Sequence, residues 1–160
     1  MVRKTKLLAM LVVVLGIVGM LAGGAFIGLA VQKNNMVTDL LREQKITTGL
    51  TKDQIAAGQV VDSPATIQAA ADTIALHLKG IAPSYNALMA SSPTGKFDPT
   101  NAQQLDYGQG MNIANTLNLV VLGYGVIEET MGTGAVLIVL GLAIVVAGAL
   151  LFGTAAAKTA

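Results

Sequence analysis

The chain has no cysteine, no tryptophan and a single histidine in 160 residues. Without cysteine there can be no disulfide framework, thiol nucleophile, thiolate metal site or lipid-modified N-terminal thiol. Charge is scarce as well: ten basic and nine acidic side chains make up 12% of the chain, against about 25% in an ordinary soluble domain. A net charge of +1, with three Phe and three Tyr that are not interleaved with Lys or Arg, gives no basic face for a phosphate backbone, so nucleic acid is excluded as a partner. What is abundant is apolar and small. Hydrophobic residues make up 53% of the chain and glycine contributes 18 positions, with a mean hydropathy of +0.65. This composition fits a chain that spends much of its length in lipid.

Between Lys6 and Lys33 no residue is charged, and Leu7 to Val31 is apolar apart from its glycines. A helix of that length reaches roughly 37 Å, enough to cross a hydrocarbon core of about 30 Å. A second charge-free stretch lies between Glu129 and Lys158, densest from Ala135 to Phe152. Cleavage as a signal peptide competes for the first stretch, because Gly28 and Ala30 supply small residues at a suitable spacing. Its apolar length exceeds the roughly 7–15 residues of a cleavable core, which favours an uncleaved anchor. Arg3, Lys4 and Lys6 before the first span and Lys158 after the second place both termini in the cytoplasm. The region between the spans holds six basic residues against all nine acids, in keeping with an outer location. The expected organisation is a cytoplasmic N-terminus at 1–6, transmembrane helix 7–31, extracytoplasmic helical domain 32–130, transmembrane helix 131–154 and cytoplasmic C-terminus 155–160. The fold class is thus an all-α membrane protein of the cell (plasma) membrane, a two-helix hairpin with a small helical extracytoplasmic domain. The apolar stretch 111–127 is the alternative: as a third span it would set Asn112, Asn115 and Asn118 in lipid and reach only about 24 Å.

Start and stop signals divide the intervening region. Val31 to Gln44 continues the first span as a stalk, with Met36, Val37, Leu40 and Leu41 expected on one side. Ile46 to Gly49 breaks it. Thr51 followed by Gln54 is a capping-box pattern for a short turn ending at Gly58. Ser63 as N-cap, Pro64 at the first position, Ile67, Ala71, Ile74 and Leu78 as an apolar stripe and Gly80 as terminator describe a helix. Asp98 and Pro99 repeat the start signal for a helix running through Leu105, Ile113, Leu117, Val121 and Tyr124, weakened by Gly108, Gly110, Gly123 and Gly125. The Pro83 to Gly95 stretch reads as a linker.

Chemistry-bearing residues are few. His77 sits at the edge of the Ser63–Gly80 stripe without a second His or a Cys for a metal, and the acids show no calcium-loop spacing. Glu128 and Glu129 point about 100° apart on a helix and mark the outer edge of a span. No phosphate loop, nucleophile elbow or triad can be assembled. Small residues are better organised. Gly16, Gly23 and Ala30 recur every seven residues with Gly19 between them, and Gly134, Gly141, Gly148 and Ala155 do the same in the second span. Such spacing keeps one face in register for helix packing in lipid. Leu76, opposite the stripe, and the Asn112, Asn115, Asn118 strip are the candidates for contact with a partner.

The order of N-terminal span, Gln44-Lys45-Ile46-Thr47, Gly58-Gln59-Val60-Val61 with Pro64, the Ala-rich helix bearing His77, then Tyr85 and the Gly-punctuated C-terminal span resembles a group of small uncharacterised two-span bacterial membrane proteins. Members of that group are often labelled aromatic ring-opening dioxygenases. Extradiol chemistry holds iron with two histidines and a carboxylate, and His77 stands alone, so the resemblance implies the two-span topology and not the activity. The functional expectation is a non-enzymatic integral membrane protein without cofactors, a structural or accessory subunit acting through its outer helical domain on other membrane subunits or on itself. An oligomeric pore or transport component is the alternative, although neither span carries a charged stripe to line a path. A sensor is the weaker expectation, because few residues follow Phe152.

Overall fold

The computed structural model describes residues 2–157, with side chains from residue 4; Met1, Arg3's side chain and Lys158 to Ala160 lie outside the described residues. Its helices are α1 (Val2–Gln44), α2 (Lys52–Ala56), α3 (Pro64–Ile81), α4 (Tyr85–Ala90) and α5 (Ala102–Ala157), and no strand occurs among the described residues. α1 and α5 are both long and apolar enough to cross a membrane. The chain divides into a two-helix unit, residues 1–34 with 126–160, and a helical unit, residues 35–125.

In the two-helix unit, large apolar side chains such as Leu7, Leu15, Leu21, Val139 and Leu150 are exposed. The buried positions are small or recur with them: Ala9, Gly16, Gly23 and Ala30 on α1, and Ile127, Gly134, Gly141, Gly148 and Ala155 on α5. Both series step by seven residues, so each buried line follows a 3.5-residue period and stays on one side of its helix.

The helical unit is organised around two linked cores. In the first, Leu41 of α1, Val61, Ile67, Ala70 and Ala71 of α3, and Leu117 and Tyr124 of α5 pack together, with Val61 and Ile67 fully enclosed. The second joins Leu78, Ala82, Leu88 and Tyr107. Lys45 leaves α1 with φ 49° and Gly49 continues the turn with φ 82°. Gly49 is demanded twice over, because a Cβ there would also sit 2.8 Å from the Ala69 carbonyl oxygen on α3. The Val61 N–H donates to the Ile46 carbonyl at 2.8 Å, closing the loop around α2. The Thr51 capping box with Gln54 starts α2, and Ser63 with Thr66 starts α3, with Pro64 in the first turn.

Several elements differ from the sequence expectations. Gly80 lies inside α3 rather than ending it; the stop comes at Ala82, whose extended backbone (φ −153°, ψ 146°) is what the following Pro83 imposes. The stretch read as a linker contains α4, capped by Ser84 through a bond from the Ala87 N–H at 3.2 Å and anchored by buried Leu88. Asp98 does not cap α5. Its Oδ1 accepts from the Thr100 N–H and hydroxyl in a local turn, and Asn101 Oδ1 accepts from the Gln103 and Gln104 N–H groups as the cap. The four glycines from Gly108 to Gly125 do not interrupt α5. On α1, Val37 and Leu41 face the core while Met36 and Leu40 are exposed. On α5, Leu105 and Ile113 are exposed and buried Gln104, Tyr107 and Ala114 take the inner face. An apolar pair at adjacent positions spans about 100° of a helix, so only one of the two can point at a narrow contact.

Candidate functional site

The small-residue series face each other. A Cβ on Gly16 would lie 2.6 Å from the Gly141 carbonyl oxygen, and one on Gly141 would lie 2.6 Å from the Gly16 carbonyl oxygen. Gly23 and Gly134 are matched the same way, at 2.5 and 2.7 Å, and Gly148 meets Val13 and Ala9. The numbers rise on one helix as they fall on the other, so the helices pack antiparallel. At these positions the obstacle includes backbone, which glycine alone accommodates. Gly19 differs: its Cβ would meet Gly141 Cα at 3.7 Å, an ordinary contact.

In the helical unit, Leu76 is 68% exposed on α3, and Asn112, Asn115 and Asn118 are exposed on α5. His77 Nε2 bonds to Asp106 Oδ2 at 3.0 Å, with both side chains exposed. Asp106 escaped the sequence reading because its partner is 29 residues away and no local spacing signals the pair. The two flank an open groove of about 470 Å³ floored by Ile46, Ile74, Ile113 and Leu117. No nucleophile takes part in the His77–Asp106 bond, and an exposed pair of this kind contributes little to stability. No cluster of three metal-ligating side chains occurs among the described residues.

A second cavity of about 500 Å³ is bordered by Arg42, Gln59, Asp62, Ser63 and Thr66. Arg42 Nε donates to Asp62 Oδ2 at 2.7 Å, and this hydrogen bond raises the guanidinium pKa further above its ordinary value. The Tyr124 hydroxyl lies 2.8 Å from Thr38 Oγ1 and donates to the Asp62 carbonyl at 3.4 Å. The polar atoms here thus bond to one another and lock α1, α3 and α5. Glu128 and Glu129 are exposed on α5. These arrangements can hold helices together and present surface to a neighbour. Compared with known proteins, the chain matches no family model, no curated protein and no solved structure.

Proposed function

We propose that the chain is a non-enzymatic integral membrane protein in which α1 and α5 form a transmembrane hairpin, residues 35–125 stand outside the membrane, and that outer unit acts by contact as a structural or accessory subunit. The observation that carries this reading is in the two-helix unit: glycine and alanine line the closest approach, flanked by half-buried Val13, Ile27, Ile138 and Val145, while large apolar side chains such as Leu7, Leu15, Leu21, Val139 and Leu150 face outward. Water would penalise that arrangement and lipid favours it, because packing rather than apolar burial holds helices together in a bilayer. The bilayer and other membrane subunits, or further copies of the chain, are the partners in this reading. Leu76, 68% exposed on the side of α3 opposite buried Ile67, Ala71 and Leu78, is the position of the outer unit offered to a neighbour in this reading. Membership of the small two-span bacterial group remains part of the proposal.

Purification from native membranes in mild detergent tests it. The assembly should be released by Leu76→Glu without loss of helicity, and His77→Ala should leave any associated activity in place. A metal or cofactor that purifies with the chain and disappears together with an activity in His77→Ala would overturn the non-enzymatic reading.

A further inference from the structure

From Tyr107 to Ile127 the sequence holds no charged residue, and the helical unit uses only one side of this part of α5 for its core, through Tyr107, Ala114, Leu117 and Tyr124. On the other side stand Asn112, Asn115, Leu119 and Leu122, all exposed, with the two leucines 68% and 67% exposed. They occupy alternating three- and four-residue steps, the a and d positions of a heptad, and fall within an arc of about 80° at 100° per residue. A solvated helix face ordinarily carries Lys and Glu; this one carries none. The amides of Asn112 and Asn115 meet no partner among the described residues.

We propose that this face of α5, from Asn112 to Leu122, is a homotypic seam that docks in parallel on the same face of a second copy of the chain. The inference rests on reading residues 35–125 as the contact unit of a membrane-anchored protein. Three features favour an identical helix over lipid or an unrelated partner. Lipid would leave the asparagine amides unsatisfied, whereas each amide carries donors and an acceptor and can pair with its own counterpart when the two helices lie in register. Copies inserted in the same direction bring their α5 helices together in parallel, the alignment in which a packs on a and d on d. The flanking positions are Gln109, Thr116 and Gly123 on one side and Met111, Asn118 and Gly125 on the other, so identical helices meet without like-charge repulsion, and the glycines allow close approach.

The area sets the setting in which this contact forms. The 11 residues from Asn112 to Leu122 make a strip about 16 Å long and about 10 Å wide, roughly 160 Å² per copy. That is below the roughly 1,000 Å² in total expected of a free-standing specific interface. The seam therefore closes between copies that the bilayer already holds side by side, where tethering raises the effective concentration to the millimolar range.

The absence of cysteine gives a clean test in the full chain. Asn115→Cys, Leu119→Cys, Leu122→Cys and, as an exposed position on α2 away from the seam, Ile55→Cys are oxidised in native membranes with copper phenanthroline, after circular dichroism has shown wild-type helicity for each. Disulfides need Cβ atoms within a few ångströms, so the three seam variants should give a product of twice the chain mass at roughly ten times the yield of Ile55→Cys. Equal yields at all four positions, or no doubled product, overturn the seam. A product of another mass overturns the second copy as occupant and leaves the contact reading of the outer unit standing, which the Leu76→Glu release experiment judges separately.

Discussion

Gly141→Ala isolates the packing of α1 on α5 with a single methyl group. In an unhindered helix interior the change gains about 1 kcal/mol of helix propensity. Here the new Cβ would sit 2.6 Å from the Gly16 carbonyl oxygen, 2.7 Å from Met20 Cγ and 2.9 Å from the Met20 nitrogen. Met20's side chain can turn aside, but the two backbone atoms cannot. Restoring ordinary contact at about 3.4 Å requires the helices to part by roughly 0.8 Å, and a gap of that size forfeits a quarter to a half of the dispersion energy of the atoms along it. Overpacking of this kind costs about 1–3 kcal/mol, enough to outweigh the propensity gain. At roughly 2–4 °C per kcal/mol for a chain of this size, the melting temperature in detergent should drop by several degrees. Gly24→Ala, with nothing within 4 Å of its Cβ, should hold or rise, and Gly19→Ala, whose Cβ meets Gly141 at 3.7 Å, should be tolerated. If Gly141→Ala melts at or above the temperature of Gly24→Ala, the close backbone approach is refuted.

Other outcomes follow from the helical unit. Tyr124→Phe removes a hydroxyl bonded to Thr38 and to the Asp62 carbonyl, and should destabilise the protein by about 1 kcal/mol, read as a lower denaturant midpoint; an unchanged midpoint would show that this lock contributes nothing. Asp98 titrates below the ordinary carboxylate range, first because it accepts from the Thr100 hydroxyl and then from the Thr100 N–H. A depressed carboxyl pKa contributes stability above the ordinary value near 4 that is lost as the pH falls through the folded value; a carboxyl-carbon NMR titration should show the low value, and Thr100→Val should move it upward. His77→Ala should change the melting temperature by no more than that of a typical surface substitution, because the Asp106 pair is exposed.

The signals legible in the sequence were short-range ones. The Thr51–Gln54 and Ser63–Pro64 starts are contained in four residues each, and their geometry depends on little else. The repeats at Gly16 and Gly141 are visible as spacing, but which carbonyl each glycine approaches is a property of two helices more than a hundred residues apart. Errors arose where two local signals compete. Gly80 and Pro83 both announce a helix end, and proline prevails because it removes a donor and constrains its predecessor, whereas glycine only weakens a helix. Asp98 and Pro99 announce a start, but buried Gln104 accepts from the Asp98 N–H at 2.6 Å, and the cap falls three residues later at Asn101. Met36 and Leu40 satisfy an apolar pattern that the core meets with Val37 and Leu41 alone. In the candidate site, the exposed Leu76 and the asparagine strip follow from helical periodicity, while the His77–Asp106 and Arg42–Asp62 pairs depend on tertiary placement that no spacing encodes.

The central claim, a membrane hairpin with its helical unit outside, is tested most directly by single cysteines at Gln59 and Thr159 in this cysteine-free chain, probed with a membrane-impermeant thiol reagent on intact cells. Gln59→Cys should label on intact cells and Thr159→Cys only after permeabilisation. Labelling at Thr159→Cys but not at Gln59→Cys would reverse the orientation, and labelling of both on intact cells would contradict the two-span account in favour of three spans.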